Sequence, residues 1–115
     1  MESISLNDLA SEKLAEARQS NSGRAAHTIH GGHTHELRQT VLALIAEHEL
    51  SEHDSPGEAT LQVLAGHVRL TAGDDAWEGK AGDYLAIPRV RHALLAVQDS
   101  VVMLTVLKSQ PGASH

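Results

Sequence analysis

Seven residues near the end of the chain, Val101-Val102-Met103-Leu104-Thr105-Val106-Leu107, make a run that is apolar on both faces of an extended strand. A fold containing such a strand must cover it from both sides. The run closes a series of short β-like segments: Leu37 to Ala46, Thr60 to Ala65, Val68 to Thr71, Ala76 to Glu78, Tyr84 to Ile87 and Ala93 to Val97. Ser55-Pro56-Gly57, Gly73-Asp74-Asp75, Gly79 to Gly82 and Gln98-Asp99-Ser100 separate segments with residues that favour tight turns. Short strands at this spacing predict an all-β sandwich or barrel. A second copy of the chain is one way to cover the outer face of the last strand.

Ahead of these strands the pattern is helical. Between Ser5 and Gln19, the residues Leu6, Leu9, Ala10, Leu14 and Ala17 recur on one face, with Asp8, Glu12, Lys13, Glu16 and Arg18 mostly on the other. Asn21-Ser22-Gly23 ends that pattern, and Arg24 to Gly32 reads as a connector or an edge strand. The expected division is a helix and linker over 1–23, a β-barrel over 24–108 and a mobile tail over 109–115. A length of 115 residues suits one domain with one modest core.

Composition removes several classes of function. Trp77 and Tyr84 are the only aromatic residues, and the net charge is −6 with His neutral. A nucleic-acid partner calls for a basic stripe or stacking aromatics, and neither is present. Cysteine is absent, which excludes disulfides, thiolate ligands and a Cys nucleophile. No apolar run approaches the roughly 18 residues of a membrane span, and no segment has the form of a signal peptide. The expectation is a cytoplasmic protein without a membrane partner. No Ser sits in a nucleophile-elbow context, and no Gly-rich loop precedes a helix to cradle phosphate.

Two segments resemble the cupin superfamily. His53-Asp-Ser-Pro-Gly-Glu-Ala-Thr-Leu-Gln-Val-Leu-Ala-Gly66 carries the leading His, the strand and the closing Gly of the first motif, with Ser55 and Ala59 where a second His and a Glu stand in the family. Gly82-Asp-Tyr-Leu-Ala-Ile-Pro88-Arg-Val-Arg-His92 keeps the Gly-to-Pro spacing of the second motif, lacks its internal Gly and brings the His one residue early. The resemblance implies a small single-domain cupin of bacterial type: a double-stranded β-helix, or jelly-roll-like barrel, with a short N-terminal helix. It also implies a homodimer, and a divalent metal (Zn, Fe, Ni, Mn or Cu) inside the barrel with His53 and His92 among its ligands.

An open catalytic site usually has about three protein ligands, so the pair needs a third. The candidates are His33 and His35, whose i, i+2 spacing puts both imidazoles on one face of an extended segment, and the carboxylate of Glu58. Glu58 alternates away from the barrel unless a bulge turns it inward. His48 and His67 are expected at the surface, and Trp77 over a hairpin. Arg38 is expected to face outward and pair with an acid, and Arg89 and Arg91 to flank the barrel mouth.

Two functions follow. One is a cupin that binds a divalent metal and a small molecule in the barrel, with oxidoreductase (oxygenase) or isomerase chemistry if it is an enzyme. The other is a metal-free, non-catalytic cupin that binds or senses a small molecule.

Overall fold

The computed structural model describes residues 1–55 and 57–107. Helix α1 spans Leu6–Gln19 and is followed by strands β1 (Arg24–His30), β2 (Leu37–Leu44), β3 (Glu49–His53), β4 (Ala59–Ala65), β5 (His67–Ala72), β6 (Asp75–Lys80), β7 (Tyr84–Ala86), β8 (His92–Ala96) and β9 (Ser100–Leu107). The strands form two antiparallel sheets, ordered β1-β2-β9-β4-β7 and β3-β8-β5-β6. This is the expected all-β barrel with an N-terminal helix. The tail from Ser109 to His115 lies outside the described residues.

Helix α1 starts where Ser5 caps it, the hydroxyl accepting from the Asp8 N–H at 3.2 Å. Asp8 in the first turn and Arg18 in the last complement the helix dipole. Ala10 and Ala17 are buried with Leu6, Leu9 and Leu14 around them, against Val41, Ala43, Val101 and Met103 of β2 and β9. Alanines at 10, 17 and 43 keep that contact close.

The barrel interior is a second apolar cluster, built from Leu42, Leu44, Leu61, Val63, Val68, Leu70, Ile87, Leu94 and Val102, with Leu104 and Val106 packed on it. Strand β9 therefore alternates between two cores: Val101 and Met103 face the helix, and Val102 faces the barrel. The helix covers the first half of the strand's outer face, at Val101 and Met103.

The family's closing glycine, Gly66, has a local reason. Its φ is +85°, and a Cβ there would collide with the Asp99 carbonyl and with Ser100. The buried Ser100 hydroxyl accepts from the His67 N–H at 2.9 Å, fastening the β4–β5 turn to the start of β9. Asp99 binds the neighbouring Ala46 N–H at 2.9 Å and the Arg18 guanidinium at 3.1 Å, which ties α1 to the barrel.

Two differences from the sequence reading have physical causes, and one open alternative is resolved. Strand β2 stops at Leu44 rather than Ala46 because the chain turns there, with Glu47 at a φ of +75°. Of the two readings of Arg24 to Gly32, the edge strand holds: among the described residues Arg24–His30 pairs with β2 alone. Strand β3 was not anticipated: it is a polar edge strand in which Leu50 alone is half-buried.

Candidate functional site

The two motif histidines meet at the barrel mouth. Leu50 and His53 both line one small cavity although they are three residues apart, an odd spacing that a regular strand sends to opposite faces. A β-bulge resolves the conflict: Leu50 pairs with Leu94 and His53 with His92, so three steps along β3 match two along β8. Regular pairing would have set Glu52 opposite His92. With the bulge, the two imidazoles face each other edge to face, their ring centroids 4.6 Å apart.

Both rings are oriented by their own backbone. His53 Nδ1 lies 3.0 Å from the Ser51 carbonyl oxygen and His92 Nδ1 2.8 Å from that of Val90. A carbonyl oxygen only accepts, so each Nδ1 carries a proton, and in the neutral form of each ring Nε2 is the lone-pair nitrogen. His92 is buried, at 4% exposure, whereas His53 is open to solvent. Beneath them Leu50, Leu61, Leu70, Ile87, Leu94 and Leu104 enclose a cavity of about 30 Å³, room for one water-sized group.

Charge surrounds the pair rather than entering it. Arg91, next to His92, donates to Glu52 at 3.1 Å and to Asp54 at 2.9 Å, the two acids that flank His53. The two hydrogen-bonded carboxylates hold the guanidinium pKa above its usual value. Arg91 thus clamps the β7–β8 loop to β3 and is not available as a lone anion-steering charge, while Arg89 stays exposed. Outside the clamp a hollow of about 510 Å³ is lined by Glu52, Ala72, Gly73, Asp75, Val90 and Arg91.

The expected third ligands do not join the pair. His33 and His35 lie in the β1–β2 loop, where the Gly32 N–H donates to His35 Nδ1 at 2.9 Å and the His35 ring packs 4.5 Å from that of His30. His33 lines a different cavity, beside Arg38. Glu58 is exposed, and its neighbour Ala59 is the residue that enters the barrel core. Ser55, at the second-His position, is occupied with its own turn, its hydroxyl bonding both the N–H and the carbonyl of Gly57 at 3.2 Å. Among the described residues no three His, Asp or Glu side chains form a group that could hold an ion. The donor set therefore does not fit the four-ligand metal centre that the resemblance implies.

Other expectations need smaller corrections. His67 is half-buried, and its Nε2 sits 2.7 Å from a Glu78 carboxylate oxygen across the β5–β6 pair. Arg38 is exposed as expected, but it pairs with no acid among the described residues. Trp77 packs against the barrel cluster and walls a cleft of about 120 Å³ with Leu70, Leu85 and Pro88. Leu50, a floor residue of the site, was missed because its strand is otherwise polar.

No protein-family model and no curated protein matches the sequence. Solved structures do match the fold. A conserved protein of unknown function from Streptococcus pyogenes is 26% identical, with 80% of each chain covered and a TM-score of 0.69. A cupin-2 domain-containing protein from Shewanella frigidimarina is 17% identical over 90% of this chain and 93% of that one, at a TM-score of 0.67. An RmlC-like cupin from Desulfovibrio desulfuricans is 24% identical over 74% and 82% of the two chains, at a TM-score of 0.64. At these identities the likeness concerns the fold, not a ligand or a reaction.

Proposed function

Because this chain has a small cupin-type fold, we propose that it binds a small molecule at the barrel mouth, with His53 and His92 as the polar contacts, and that it does so without a tightly held metal. The observation that carries this reading is the imidazole pair itself: two rings fixed by backbone carbonyls, with no third ligand beside them among the described residues. A neutral pair with bare Nε2 atoms accepts hydrogen bonds, so the matching ligand group is a donor such as a hydroxyl, phenol or amine. The cavity of about 30 Å³ takes no more than a water- or methyl-sized end of the ligand, whose body would lie outside it, on the solvent-open side of His53. This is the profile of a ligand-binding or sensing module.

The test is a screen of small alcohols, phenols and amines against the full chain, read in imidazole and amide NMR signals. A hit that perturbs His53 and His92 together, and loses affinity in both His53→Ala and His92→Ala, supports the reading. Hits that bind both variants unchanged overturn it.

One observation favours a second reading. Ring centroids 4.6 Å apart bring the two imidazoles close enough to share one ion, provided each Nε2 turns toward it at the usual ligand distance of about 2.1 Å. In that reading His53 and His92 hold a divalent metal whose remaining positions are filled by the small molecule and water, and metal-dependent oxidoreductase or isomerase chemistry becomes available. Elemental analysis of untagged protein separates the two. Near-stoichiometric metal that is lost in both alanine variants supports the second reading, and metal far below one per chain supports the first.

A further inference from the structure

The tip of the β1–β2 hairpin carries a different imidazole chemistry from the barrel mouth. His27, His30, His33 and His35 fall within nine residues and Arg38 follows, in a chain whose net charge is −6. The Gly32 N–H donates to His35 Nδ1, so that nitrogen is an acceptor and the ring's proton sits on Nε2. His53 and His92 have the opposite tautomer. His35 thus offers a donor where the mouth offers acceptors.

Arg38 is built into this tip. Gly31 has a φ of +129°, and a Cβ placed there would lie 3.1 to 3.2 Å from the Cα, Cβ and Cγ of Arg38, so the loop backbone closes directly on the arginine stem. Gly31, Gly32, His33 and Arg38 line a cavity of about 250 Å³. The guanidinium pairs with no acid among the described residues, and Glu36 is the one acid of the loop.

We propose that this hairpin tip is an oxyanion-binding site for a phosphate or carboxylate group, with Arg38 as the charged anchor, His33 as a second donor and His35 as the residue that holds the Gly31-Gly32 turn in shape. The guanidinium fork matches either oxyanion with two parallel hydrogen bonds. A backbone that can reach the arginine stem only at glycine keeps that fork at the cavity. The site is independent of the barrel-mouth pair, and the two proposals stand or fall separately.

The experiment is an NMR titration of the full chain with inorganic phosphate and, in a second arm, with acetate, each against sodium chloride at the same ionic strength. Saturable shifts confined to the Gly31–Arg38 segment are expected, and the arm that saturates at lower concentration identifies the preferred oxyanion. Arg38→Gln should weaken binding by about tenfold or more, Arg38→Lys less, because it keeps the charge but not the fork. Gly31→Ala should weaken binding in a chain that stays folded, and Arg69→Gln, which removes an exposed cation of β5, should bind like the parent. Shifts that follow ionic strength alone, or equal binding by a folded Arg38→Gln variant, would overturn the proposal.

Discussion

His53 and His92 stand opposite each other although β3 carries one residue more than β8 between the Leu50–Leu94 pair and the histidine pair. Deleting Ser51 should remove the bulge and leave Leu50 and His53 two steps apart, so that a regular β3 keeps His53 opposite His92 with Leu50 and His53 on one face. Contacts between the two rings, read as cross-peaks in NMR spectra of the wild-type chain, should survive in the deletion variant, and their loss while the barrel's core signals persist would contradict this register.

Leu61 is 1% exposed and forms part of the floor under the histidines. Leu61→Ala removes a buried side chain the neighbours cannot fully replace, so unfolding in urea should show a loss of about 2 to 5 kcal/mol. The enlarged floor should also admit ligands with a bulkier apolar end than the parent accepts.

Acid should loosen the joint between α1 and the barrel. The Ala46 N–H, with the Arg18 guanidinium adding to it, holds the Asp99 carboxyl below the ordinary carboxylate range against a desolvation cost. In the unfolded chain the group returns to about 3.9. A pKa lowered by folding contributes stability that is complete above the unfolded value and is lost as pH falls through the folded one. The urea midpoint of the wild type should therefore drop more steeply than that of Asp99→Asn below about pH 4, and parallel curves for the two would contradict the assignment.

Ser5→Ala leaves the Asp8 N–H without its cap and should cost about 1 kcal/mol. Amide exchange should quicken first in the opening turn of α1. The helix and the strands it covers would otherwise keep their protection.

Much of this architecture is legible along the chain because it depends on local periodicity. Leu6, Leu9, Ala10, Leu14 and Ala17 announce one apolar face, and Val101 to Leu107 announce two, which the helix and the barrel then divide between them. Strand β3 is not legible because an edge strand such as Glu-Leu-Ser-Glu-His owes its conformation to its partner, not to its own side chains. The bulge is hidden for the same reason, being a difference between two strands. The motif positions of His53 and His92 led to the pair, while the reach of His33, His35 and Glu58 depended on loop paths that no spacing encodes. Arg91 pairs with acids flanking His53 that lie 37 and 39 residues before it in the chain. Its clamp, too, became visible only in the fold.

Replacing Arg91 by Ala should leave the melting temperature nearly unchanged, since its partners are exposed and such pairs add little to stability. The β7–β8 loop should become more mobile, seen as reduced amide order parameters at Val90 and residue 91, and the ring contact between His53 and His92 should weaken with it.

The central claim is that both mouth imidazoles present a bare Nε2 to the ligand. Long-range 1H–15N spectra of the metal-free chain, recorded at a pH where the rings are neutral, test this most directly. The account predicts that His53 and His92 both carry the proton on Nδ1, and that both Nε2 signals move when a donor ligand binds. An Nε2–H tautomer at either ring, or Nε2 signals that stay fixed while a ligand binds elsewhere, would contradict it.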